Sequence, residues 1–218
     1  HDRVRGYPGA FRAALKAVDI LLGVGSNHVS VSTVLPAELI RERRTEEMLE
    51  FLAGLGVHEA WLSEAKPTGE PLWREDRVIT EVDRRYLCGL QDEYNRAGKG
   101  KRGRMAVNYL GHFEGREHFG CNAGSKMVYV DAFGDVSPCV FIPMNFGNVS
   151  RDPIGSICAD MKSRFPSEDA CFINRNYELL SERGAGALPL GRDDSIELLE
   201  RVVFGPLSDF NRLHRGKG

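Results

Sequence analysis

Apolar side chains at positions 11, 14, 15, 18, 21 and 22 recur at the spacing of one helix face, and Gly23 and Gly25 follow as stop signals. A helix is therefore predicted over residues 10–24. HVSVSTVL (28–35) is rich in β-branched residues and predicts a strand. Residues 38–54 place apolar side chains at 39, 40, 48, 51, 52 and 55, an amphipathic pattern closed by Gly54 and Gly56. VHEAWLSEA predicts a second strand, followed by a KPTGEPLW loop, and a long helix is predicted over Thr80–Ala97 with Thr80 as N-cap and Gly98 as the stop.

Helix–strand–helix–strand–helix over residues 10–97 implies right-handed βαβ units on a parallel sheet. Two parallel strands do not make a domain, so further strands are expected before His1 and the chain reads as the later portion of a longer protein. GKGKRGR (98–104) is a basic, glycine-rich hinge and the expected domain boundary. Beyond it lie short strand-like runs (RMAVNYL, SKMVYVDA, DVSPCVF), an IGSICADMKSRF helix and a DDSIELLERVV helix capped by Asp194 or Ser195. The RLHRGKG tail is expected to fray. The division predicted is 1–98, 99–190 and 191–218.

Composition narrows the function classes. The 218 residues are 42% hydrophobic and 28% charged with a net charge of -2, which gives no electrostatic reason to expect nucleic acid or a membrane surface. The longest apolar run, AVDILLGVG, is too short to span a bilayer and carries Asp19. Five cysteines (88, 121, 139, 158 and 171), an odd number with no CxxC and no secretory signal, argue against a disulfide framework and fit a reducing cytoplasm.

The stretch GCNAGSKMVYVDAFGDVSPCVFIPMNFGN (120–148) concentrates the candidate chemistry. Its two strand-like runs meet around AFGD, where Gly134 suits a tight turn, so a hairpin brings Cys121 and Cys139 to one end. Pro138 stiffens the approach to Cys139, and Cys171 follows a helix that can return there. Asp131 is expected to support the turn. Such thiols can form a disulfide, a metal site, a redox pair or ordinary buried contacts. As a ligand set they suit zinc or an iron–sulfur cluster, with a fourth ligand from Cys158, His112, His118, water or substrate. Cys88 and Cys158, on helices, read as core.

The pattern Cys–x12–Gly–x4–Cys with Pro before the second Cys, then FGN, a short helix and a further Cys, resembles the auxiliary-cluster domain of radical SAM enzymes, called SPASM or, in shortened form, twitch. Upstream, HDRVRGYPGAF with its helix, the VSVSTVL strand and the WLSEAKPTGE strand–loop are similar to the later part of the radical SAM barrel. The resemblance spans residues 1–180. It implies an α/β fold: the C-terminal part of a partial (β/α) barrel, followed by a small α+β auxiliary-cluster domain with a β-hairpin. It makes Cys121, Cys139 and Cys171 ligands of an auxiliary [4Fe–4S] cluster and leaves Cys158 at an apolar helix position.

The family's CxxxCxxC, which holds the cluster that cleaves S-adenosylmethionine, is absent from this sequence, as is the later cysteine run of the full SPASM pattern. The resemblance thus implies a twitch-like domain. In its full-length form the protein would be an oxidoreductase with S-adenosylmethionine and a second [4Fe–4S] cluster, generating a 5′-deoxyadenosyl radical. Ser30, Ser32 and Thr33 lie on the strand near S-adenosylmethionine in that family, and Glu64 ends the next strand; Ser32 and Glu64 are the candidate cofactor contacts, and His1 is a weaker one. The implied partners are an electron donor such as flavodoxin or ferredoxin and a peptide, sugar or small-molecule substrate. The competing reading is a non-enzymatic zinc-binding or electron-transfer module.

Overall fold

The computed structural model describes residues 1–25, 28–68, 78–97, 105–183 and 188–214. The predicted hinge at 98–104 and most of the KPTGEPLW loop lie outside these residues. The chain divides into two compact units, His1–Glu64 with Ile79–Leu110, and Ala65–Val78 with Gly111–Gly218.

The first unit is mixed α/β around a parallel sheet. Helices α1 (Asp2–Arg5) and α2 (Ala10–Gly23) precede β1 (Ser30–Leu35), α3 (Ala37–Arg41), α4 (Thr45–Gly54), β2 (Glu59–Glu64), α5 (Glu81–Ala97) and β3 (Ala106–Tyr109). The strands run in the order β1-β2-β3, all parallel, with Leu35 opposite Glu64 and Leu62 opposite Tyr109. The third strand comes from RMAVNYL, which the sequence pattern alone assigns to the following domain. Leu35, Ala60, Leu62, Val107 and Tyr109 bury one sheet face in a core shared with Ile40, Leu49, Leu87 and Leu90 of the crossover helices.

The predicted 38–54 helix is two helices. Arg43 sits at φ 59 between them, a left-handed conformation that ends α3, and its guanidinium lies 3.8 Å from the Tyr86 ring centroid. The predicted Thr80 cap is present and reciprocal. Thr80 Oγ1 accepts the Asp83 N–H at 3.3 Å, and the Thr80 N–H donates to Asp83 Oδ2 at 2.8 Å. At the other end of this unit, the exposed Asp2 carboxylate accepts the N–H groups of Gly9 and Phe11, each at 2.7 Å, and fixes the turn into α2.

The second unit holds α6 (Leu110–Phe113, at its border), the antiparallel hairpin β4 (Tyr129–Val130) and β5 (Val136–Ser137), then α7 (Ile154–Arg164), α8 (Phe172–Ser181), α9 (Arg192–Leu199) and α10 (Asp209–Leu213). Its core gathers Val136, Ile142, Met144, Phe146, Ile157, Met161, Phe165, Phe172 and Leu198. Asp131 braces the predicted turn by accepting the N–H groups of Phe133 (2.8 Å) and Asp135 (2.9 Å). Asn148, from the FGN run, donates to Phe133 O and Asp135 Oδ1 and fastens the hairpin to the segment leading into α7.

Two corrections fall at the C-terminal end. Helix α9 is capped by Gly191 rather than by Asp194 or Ser195, and Ser195 is fully buried. Residues 209–213 form α10, so Arg212 and Leu213, the first two residues of the RLHRGKG tail expected to fray, are helical. Ser208 caps this helix, and the buried Asn211 donates to Phe119 O at 2.8 Å.

Candidate metal centre

Main-chain contacts draw the three cysteine-bearing segments together. Cys121 and Glu168 exchange both backbone hydrogen bonds at 2.9 Å, which ties the first thiol to the turn that leads into Cys171. The Gly124 N–H donates to Met127 O (2.8 Å) and Pro138 O (3.1 Å), which ties the same segment to the residue before Cys139. Gly120 is at φ +65, and a Cβ there would meet Glu168 O at 1.9 Å, so this position requires glycine for its backbone and its space. Glu168 is itself buried; its carboxylate accepts the Gly205 N–H at 2.7 Å and lies 3.4 Å from Arg175 Nε.

All three thiols sit in the second unit's core region, with Cys121 inside the apolar cluster and Cys139 and Cys171 packed against it. Burial raises the pKa of each, that of Cys171 to about 12. Backbone N–H groups work against burial and favour the anionic sulfurs: Ala123 and Phe172 at Cys121, Phe141 and Val140 at Cys139, and Asn174 at Cys171. The thiols also sense one another, since a charge on Cys139 raises the pKa of Cys121 and a charge on Cys121 raises that of Cys171. Cys171 is the N-cap of α8, where the helix N-terminus adds to the stabilisation of an anion. Sequence reasoning missed this helix; its only start signal is a cysteine in place of the usual Ser, Thr, Asp or Asn.

Among the described residues, no three His, Cys, Asp or Glu side chains are grouped so as to hold one metal ion. Thiolates are also the donors of iron–sulfur clusters, in which each thiolate binds its own iron. Lys66 and Glu114 pair at 2.5 Å, and their charges act on both Cys139 and Cys171. Neither was singled out from the sequence, because only the fold pairs positions 66 and 114. His112 and His118 pack against each other with ring centroids 4.0 Å apart. Cys158, expected in the core, lines an open cavity of about 400 Å³ with Gly124, Lys126, Met127 and Lys162. Cys88 packs against the first unit's core, as its helical position suggested.

In the first unit the two cofactor candidates take opposite sheet faces. Ser32 is exposed and shares its face with its register partner Trp61 and with Asn108. Glu64 is 5% exposed and lies on the helix-covered face. There it accepts the Tyr109 hydroxyl, and its Oε1 is 3.5 Å from Arg84 Nη2. Burial and the Glu64 charge together raise the Tyr109 pKa. The structure therefore does not bring Ser32 and Glu64 together, and it gives Glu64 internal partners. On the Ser32 face, Glu59 joins His28 Nε2 (2.9 Å) to Asn108 Nδ2 (2.6 Å). His1 lies beside Phe11, with ring centroids 5.6 Å apart.

Comparison with known proteins gives two findings. Residues 121–178 match the SPASM family, described as an iron–sulfur cluster-binding domain; the match opens on Cys121 and contains Cys139, Cys158 and Cys171. The chain is also 24% identical over 173 residues to a Methanosarcina barkeri protein named AdoMet-dependent heme synthase. That alignment takes in 72% of this chain and 49% of the relative, so the chain spans about half the length of the curated relative it matches. No helix among the described residues is long and apolar enough to cross a membrane.

Proposed function

We propose, on the premise that both matches support a radical SAM/SPASM family protein, that Cys121, Cys139 and Cys171 hold an auxiliary [4Fe–4S] cluster in a twitch-like domain. The observation that carries this reading is that one buried and two half-buried thiols border one apolar core, each with main-chain N–H groups that favour its anion, inside a segment matching an iron–sulfur domain. When bound, such a cluster supplies one-electron transfer or a Lewis-acidic iron. The protein's own residues hold it: the Cys121–Glu168 bridge and the Gly124–Pro138 contact set the spacing of the thiols, and the surrounding phenylalanines exclude water.

The parallel-sheet unit, in this reading, is the later part of a partial (β/α) barrel, and its Ser32 face is the side turned to S-adenosylmethionine. The full-length protein would be an oxidoreductase that generates a 5′-deoxyadenosyl radical from S-adenosylmethionine, with flavodoxin or ferredoxin as electron donor. This chain has no CxxxCxxC and is expected not to perform that cleavage alone. The relative named for heme synthesis makes a porphyrin-type small molecule the first substrate to assay.

Oxygen-free reconstitution with iron and sulfide tests the ligand set. Cys121→Ser, Cys139→Ser and Cys171→Ser should each lose most bound iron and sulfide, while Cys158→Ser should retain both. Unchanged metal content in the first three variants would overturn the assignment.

A further inference from the structure

Asn211 is 5% exposed and gathers several partners around one amide. Its Nδ2 donates to Phe119 O at 2.8 Å and to Asn122 Oδ1 at 3.2 Å, and its Oδ1 accepts from Lys126 Nζ at 2.6 Å. Ser208 Oγ donates to the same Phe119 O at 2.9 Å, and the Asp209 N–H donates to Arg116 O at 2.8 Å. From the segment before Cys171, the buried Ser167 hydroxyl donates to Asn122 Oδ1 at 2.9 Å. All these bonds close on residues 116–126, on both sides of Cys121 in the chain, and all lie within the second unit.

Docking α10 does not by itself call for an amide at this position. The Phe210 ring already meets Phe119 edge-on, with centroids 4.9 Å apart. A buried amide is costly unless it is paired. What it adds over an apolar side chain is direction, because a satisfied polar network allows one arrangement of the groups that it joins. The Cys121–Glu168 bridge fixes the cysteine's own peptide groups, while Phe119 O and Asn122 fix the chain before and after it. One anchored point sets a position; three set an orientation.

We propose that Asn211 is a positioning residue for the cluster, which acts through Phe119 O and Asn122 to orient the Cys121 segment for binding iron. This rests on the cluster reading above. A ligand side chain must be held to within about 0.5 Å of its working geometry, and residues that hold ligands from behind change metal affinity about 10–100-fold when replaced. Asn211→Asp keeps the shape and the oxygen that accepts from Lys126 but removes the N–H donors to Phe119 and Asn122. Asn211→Ala removes both. Ser195→Ala is the control, because that buried α9 hydroxyl donates to Leu190 O, away from residues 116–126.

The full 218-residue chain and its variants are reconstituted without oxygen, and iron and sulfide are quantified. Two readouts follow for each loaded sample: the rate of iron loss to a ferrous chelator, per cluster present, and the EPR spectrum after dithionite reduction. Both Asn211 variants should lose iron at least about 10-fold faster than the parent and show shifted g values, while Ser195→Ala keeps the parent rate and spectrum. A merely structural role would lower the loaded fraction and the unfolding midpoint, yet leave the clusters that do form with parent release and parent spectrum; that result overturns the proposal. Equal acceleration in Ser195→Ala overturns it too. A parent chain that takes up no iron and sulfide overturns the cluster reading and this proposal with it. If the Asn211 variants fail to fold, Ser208→Ala, which removes the other donor from α10's cap to Phe119 O, decides by the same two readouts.

Discussion

At Cys171, two local influences compete for one proton. Burial pushes the thiol up to about 12, while the α8 N-terminus and the Asn174 N–H favour the anion. Burial prevails in the metal-free chain, so at neutral pH Cys171 carries a proton that must leave before sulfur can bind iron. The same direction holds for Cys121 and Cys139. Cluster uptake should therefore rise with pH through the neutral and mildly alkaline range, with proton release that a weakly buffered reconstitution detects; pH-independent uptake would contradict it. The metal-free fold has the opposite dependence. A thiol whose folded pKa is raised contributes fully below the ordinary thiol range, and that contribution declines as pH climbs toward the folded value. Cys121 and Cys139 were visible in the sequence because Gly134 and Pro138 mark a hairpin between them. Cys171 was legible only as a cysteine following a helix that can return to the same end, since nothing in CFINRNYELL announces a helix cap of the usual chemistry.

Among the elements, the β1–β2–β3 sheet is the clearest case of a pattern that reads half correctly. β-branched runs and helical periodicity identified β1, β2, α2 and α5, because each carries enough residues to display its own period. β3 has four residues and follows a basic glycine run, so its membership in the parallel sheet depends on pairing with β2, which no local pattern encodes. The break between α3 and α4 was likewise hidden, because a left-handed Arg43 lacks the glycine that usually marks such a turn. Glu64 shows the same limit in its chemistry. Read alone, it is a strand-end carboxylate open to ligand; in the fold it is matched by Tyr109, 45 positions away, and by Arg84. Tyr109→Phe removes that hydroxyl and leaves a buried carboxylate short of a donor, which should cost about 1–3 kcal/mol in denaturant unfolding. A loss well under that range would mean that water or Arg84 supplies the missing donor.

For the whole molecule, the separation into two cores gives ligand binding a specific footprint. The second unit holds every proposed cluster ligand, and its core residues differ from those of the sheet unit. Binding that requires the folded state stabilises whatever it holds in place. Amide hydrogen exchange should slow at Ala123, Val140, Phe141 and Phe172 when the cluster is loaded. Amides of β1 and β2 at Val31, Ala60 and Leu62 should keep their metal-free rates. Slowing spread evenly over both units would show that loading orders more than the site. The basic hinge proposed at 98–104 and residues 215–218 of the tail expected to fray lie outside the described residues, while α10, which leads into that tail, is fastened by Ser208 and Asn211.

That fastening has a consequence for biogenesis. Ser208 Oγ and Asn211 Nδ2 both donate to Phe119 O, and Asn211 also reaches Asn122 Oδ1, so the peptide on either side of Cys121 is secured by residues made almost ninety positions later. A nascent chain still growing on the ribosome can have exposed all three thiols and yet lack this clasp. Maturation machinery would then meet its finished receptor only after residues 208–211 have been made and folded back.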